Sequence, residues 1–101
     1  MRIPPALAAK LTEEVLERLP PPPARVLEVG FAGIHAVPLR LAGFDVVVVD
    51  ESRAAAERAG AVLSEPPAEH FDVVVAPDGA DLTRIDADRR IIVKADGSVL
   101  G

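Results

Sequence analysis

Five short runs constrain this chain more than anything else in it: RVLEV, DVVVVD, AVL, FDVVVA and RRIIVKA. Each is rich in β-branched residues and lacks the polar alternation of a strand with one face in water. Strands that are apolar on both faces belong in a parallel sheet covered on both sides. AGIHAVPLRLAG separates the first two runs and ESRAAAERAG the next two. Each segment is long enough for a crossover helix and ends in the glycine that suits a helix C-terminus. The order strand, helix, strand, helix, strand predicts an α/β fold with a mostly parallel sheet.

That pattern is one half of a Rossmann-like arrangement, and the second half is abbreviated. Residues 64–70, SEPPAEH, are too few for a crossover helix, which needs at least about 10 to 12 residues. The expected strand order is 3-2-1-4-5, with this connector crossing the sheet nearly extended, since seven residues reach at most roughly 25 Å. PDGADLTRIDAD leaves room for a turn or two of helix before the fifth strand. Asp96-Gly97 between apolar runs predicts a terminal hairpin, so the last strand should run antiparallel to the fifth. Ahead of the sheet, Leu7, Leu11, Val15 and Leu19 recur every fourth position, which marks an amphipathic helix entered through Pro4 and Pro5. Four prolines at residues 20–23 cannot continue it and act as a stiff spacer. The expected organisation is a single minimal Rossmann-like three-layer domain over residues 1–101: helix 1–19, proline spacer 20–23, α/β core 24–101.

Composition removes several functions. With no cysteine among 101 residues, disulfides, thiolate zinc sites and a cysteine nucleophile are excluded, and two histidines are too few for a histidine-only metal site. Sixteen acidic and eleven basic residues leave a net charge of −5, which repels a phosphate backbone. No tyrosine or tryptophan is present for base stacking, so direct nucleic-acid binding is not expected. No apolar run approaches the roughly 20 residues that span a bilayer, and Met1 to Lys10 lacks the form of a signal peptide. A cytoplasmic protein without a membrane partner is expected. The absence of asparagine and glutamine, the excess of arginine over lysine and the ten prolines suit a thermophile. A GC-rich genome gives the same bias.

The stretch LEVGFAGIHAVP, residues 27–38, ends the first strand in a glycine turn. A dinucleotide fingerprint of three glycines places a pyrophosphate on a helix N-terminus. Read from Gly30, the chain offers Gly30, Ala32 and His35, one glycine of three. VLEVGFAG, followed by FDVVVVD and later FDVVVA, resembles the class I S-adenosylmethionine-dependent methyltransferases over residues 25–94. The chain is also similar, more closely in length, to a family of short, mostly archaeal, uncharacterised proteins with an EVGxG turn and a reduced form of that fold. The resemblance implies S-adenosylmethionine as cofactor. Glu28 then supports its methionine part, Gly30, Ala32 and Gly33 form the loop, and Asp50 receives the two ribose hydroxyls with Glu51 and Ser52 beside it. It also implies that Glu65 lies near the adenine. The family pattern places glycine at 30, 32 and 34, whereas this chain has Ala32 and Ile34, with Gly33 out of register.

Methyl transfer from a sulfonium needs mainly proximity and alignment, so no acid–base constellation is required. By the same resemblance the substrate-facing segment is APDGAD, with Asp78 as the one candidate base. The simpler reading makes Asp78, Gly79 and Asp81 a turn and helix cap. Pro38 is harmless only in a first helical turn, so the second helix should begin near Ile34 or His35. His35 is then a solvated residue at a helix start, and His70 an exposed connector residue. A homodimer would cover the edges of so short a sheet. The alternative function is a non-catalytic Rossmann module for partner binding or NAD sensing, and a salt bridge from Glu28 to Arg25 or Arg53 would favour it.

Overall fold

The computed structural model describes residues 5–31, 35–50, 67–94 and 96–101. These hold two helices, α1 (Pro5–Arg18) and α2 (Ala36–Leu41), and five strands: β1 (Arg25–Val29), β2 (Asp45–Val49), β3 (His70–Pro77), β4 (Asp86–Val93) and β5 (Val99–Leu100). The strands form one mixed sheet, parallel from β2 to β4 and antiparallel where β5 joins β4. The chain is therefore a small α/β fold.

The expected order 3-2-1-4-5 is not the one found. Among the described residues the sheet runs β2-β1-β3-β4-β5. The segment expected as the third strand, residues 61–63, lies outside the described residues, as do the helix expected at 51–60 and most of the connector at 64–70. FDVVVA is thus the third described strand and pairs directly with β1, with Leu27 opposite Val74. The pairing follows from apolar content. β1 and β3 carry buried residues on both faces and take inner positions, while β2 begins with exposed Asp45.

One face of the sheet is covered by the helices. Leu11 and Val15 of α1 and Ala36 and Leu39 of α2 pack against Val26, Val48, Val75 and Ile91, with Leu16 and Leu19 partly buried beside them. The expected stripe therefore holds at Leu11, Val15 and Leu19, while the Leu7 side chain lies outside the description. On the second face Leu27, Val49, Phe71, Val74 and Ala76 pack with Leu82, which comes from the loop between β3 and β4. That loop contains turns at 78–79 and 83–84 and no helix, which corrects the expected helical turn. The cause is local: Asp81 Oδ1 accepts hydrogen bonds from the Thr83 amide (3.0 Å) and hydroxyl (2.7 Å), tying the backbone into a tight turn.

α2 starts at Ala36, one residue after the expected start, and contains six residues. Pro38 sits in its first turn, as the missing amide requires. The helix ends through Gly43 (φ +98°), whose amide donates to Arg40 O at 3.0 Å. The terminal hairpin forms as expected, with Lys94 N donating to Ser98 O at 2.8 Å and Asp96 Oδ1 accepting from the Ser98 amide and hydroxyl.

Truncating a side chain that joins helix to sheet removes packing that cannot fully collapse. Leu39→Ala is expected to lower unfolding free energy by about 2 to 5 kcal/mol. Leu41→Ala, on the same helix but 83% exposed, should change it by no more than about 0.5 kcal/mol. Urea unfolding of the two variants checks the assignment of the buried face.

Candidate functional site

The site starts from the carboxyl ends of the parallel strands. β1 lies between β2 and β3, so the chain leaves β1 toward one neighbour and later returns on the other side. Beyond the strand ends at such a change of direction is the usual ligand position in an open α/β sheet. Gly30 follows β1, Asp50 follows β2, and Pro77 and Asp78 end β3.

Gly30 is constrained twice. Its φ is +78°, and a Cβ at this position would lie 3.2 Å from Cγ and Cδ of Pro77. Its amide donates to Val49 O at 3.3 Å, which carries the β1–β2 ladder one step into the turn. Any larger residue meets both backbone strain and the Pro77 ring.

Glu28 is fully buried. Its register partners, Val48 and Val75, both belong to the core under the helices, so its side chain enters that layer. Arg25 instead pairs with Asp45 (3.3 Å) and Glu69 (2.6 Å) and stacks 5.0 Å over the Phe71 ring. Arg53 lies outside the described residues. Asp50 is half-buried. Ala32, Gly33, Glu51, Ser52 and Glu65 also fall outside the described residues.

His35 departs from expectation. It is fully buried, although it precedes a helix, because its ring is drawn under α1. Nδ1 lies 2.7 Å from Thr12 Oγ1, and Phe31 meets the ring edge-on at 5.0 Å between centroids. Nε2 has no hydrogen-bond partner among the described residues. Burial disfavours the imidazolium and lowers the pKa from 6.5 to about 4. The neutral ring thus pins α1 to the segment that follows the glycine turn.

His70 is exposed, as expected, but it opens β3 rather than lying in a connector. Its Nδ1 lies 3.1 Å from Asp86 and its Nε2 3.2 Å from Asp88. Hydrogen bonds to Asp86 and then Asp88 raise its pKa. One ligand atom each from His70, Asp72 and Asp88 lies within 4.8 Å of the others, close enough for three groups to approach one divalent ion. Both His70 nitrogens are engaged by aspartates, however, and Asp72 accepts a 2.7 Å hydrogen bond from the Arg25 amide. Ion pairing accounts for the cluster. No signal in the sequence revealed it, since it depends on His70 lying beside Asp86 in the parallel ladder.

Asp78 and Gly79 form a turn, with the Asp78 amide donating to Val93 O at 2.9 Å. Around it opens a cleft of about 380 Å³, bounded by residues 77–83 and by Arg90 and Ile92 of β4. Arg90 and Ile92 were not singled out from the sequence. Their i, i+2 spacing in RRIIV was visible, but the loop that folds over them was not.

No helix among the described residues is long and apolar enough to cross a membrane. In comparison with known proteins, no family model and no curated relative matches the chain.

Two outcomes follow from this geometry. Gly30→Ala should cost about 1 to 3 kcal/mol in urea unfolding, through its positive φ and the Pro77 contact. The histidines should titrate apart, which imidazole proton resonances can follow directly because the chain has two. His35 has a folded pKa below its unfolded value, so its contribution is intact above pH 6.5. Up to about 3 kcal/mol is lost as pH falls toward 4. His70 has a folded pKa above its unfolded value, so its contribution is complete below pH 6.5 and disappears as pH rises through the folded pKa.

Proposed function

We propose that the chain is an S-adenosylmethionine-binding domain of the methyltransferase type, with the cofactor across the carboxyl ends of β1 and β2. The observation that carries the reading is the strand reversal at β1, with Gly30 and Asp50 ending adjacent parallel strands. At Gly30 the backbone turns without a side chain in the way of a ligand. A carboxylate at Asp50 can accept hydrogen bonds from both hydroxyls of a ribose. Gly33 belongs to the same loop in this reading. The burial of Glu28 gives it a supporting place beneath the turn and leaves direct ligand contact to Gly30 and Asp50. Methyl transfer would then depend on aligning an acceptor with the sulfonium, for which Asp78, directly after β3, is the candidate base.

The burial of Glu28 also favours a second reading, a non-catalytic module in which the turn serves the fold and the crevice serves a partner or NAD. Calorimetric titration separates the two. Under the first reading S-adenosylmethionine and S-adenosylhomocysteine bind with dissociation constants on the order of micromolar, and Asp50→Ala weakens both about tenfold or more. Absence of binding at millimolar ligand removes the first reading. Binding of NAD alone supports the second.

A further inference from the structure

The cleft beside β3 holds two charges that do not meet. Arg90 and Asp78 both line it, yet no ion pair joins them, and among the described residues neither side chain has a hydrogen-bond or ion-pair partner. Asp81, the other acid at the cleft, has one carboxylate oxygen held by Thr83. The same cleft is lined by Leu82, buried by its packing on Val74 and Ala76, and by half-buried Ile92. The volume of about 380 Å³ falls within the roughly 300 to 1,000 Å³ of small-molecule sites.

We propose that this cleft binds a small zwitterion, an α-amino acid with an apolar side chain. Its carboxylate pairs with the Arg90 guanidinium, whose planar fork matches a carboxylate with two parallel hydrogen bonds. Its ammonium group pairs with Asp78, and its side chain covers Leu82 and Ile92. A ligand with only one of these charges leaves the other protein charge unanswered, which is the source of selectivity. The loop is anchored rather than loose. The Asp78 amide bonds Val93 O, Ala80 N donates to Pro77 O at 3.2 Å, and Ile85 N donates to Leu82 O at 3.1 Å. Little ordering is therefore needed on binding. Pro77 lines the cleft and its ring also lies beside Gly30, so the cleft neighbours the turn proposed for the cofactor. The inference rests on the cleft alone and does not require that cofactor.

The test is a titration of the ¹⁵N-labelled full chain with L-leucine, without any nucleoside, followed by amide chemical shifts. Saturable shifts at Gly79, Leu82 and Thr83 are expected, with affinity reduced about tenfold or more in Arg90→Gln and in Asp78→Asn. Arg89→Gln, on the same strand but outside the cleft, should retain the wild-type affinity. 4-Methylpentanoate and 3-methylbutylamine, which each keep one charge of leucine, should bind at least about tenfold more weakly. Equal binding of either one overturns the proposal, as does the absence of saturable shifts with leucine. Failure of S-adenosylhomocysteine to bind, with these leucine shifts intact, would count against the cofactor reading alone.

Discussion

A parallel strand with neighbours on both edges has no solvent face to spare, and β1 is such a strand. Val26, Leu27 and Glu28 are all buried, and their ladder partners on either side are valines. Among the described residues, the packing on each face of the sheet answers the need to cover both surfaces around it. α1 and α2 close one side through Leu11, Val15, Ala36 and Leu39. On the other side, among the described residues, cover comes from the β3–β4 loop through Leu82, with Ala80 and Ile85 beside it.

The two ends of the strands serve different purposes. At the amino ends, opposite charges pair closely: Arg25 with Asp45 and Glu69, and His70 with Asp86 and Asp88. These exposed pairs add little stability singly, but they align strands that run in the same direction. At the carboxyl ends the chain passes Gly30, Asp50 and Asp78, and the charges of Asp78 and Arg90 at the cleft have no ion-pair partner among the described residues. Pairing at one end and openness at the other agree with the general placement of ligands beyond the carboxyl ends of parallel strands.

His35 links the helical layer to the turn. An imidazole with one nitrogen bonded to Thr12 and the other without a partner among the described residues is a costly group to bury. It ties α1 to the start of α2 by one short hydrogen bond with Thr12 and meets the Phe31 ring edge-on. Glu28 is buried on the same side of the sheet, so both of these polar side chains lie within the protein.

The α/β class, the parallel pairing of RVLEV, DVVVV, FDVVVA and RRIIV, helix α1, the position of Pro38 in the first turn of α2 and the terminal hairpin were all legible in the residues alone. Each depends on residues close together in the chain: a run of β-branched residues, a four-residue repeat, a proline without an amide, an aspartate before a glycine. The burial of His35 was not legible there, because Thr12 and α1 reach it from 23 positions away. Nor was the pairing of His70 with two aspartates, which depends on the register of β3 against β4. The same holds for the cleft: Arg90 and Asp78 share it because a loop of turns folds back over β4. Local pattern carries the identity of an element, whereas which faces meet depends on packing among elements distant in sequence, and that is where the charges at the candidate sites acquire their partners or are left without them.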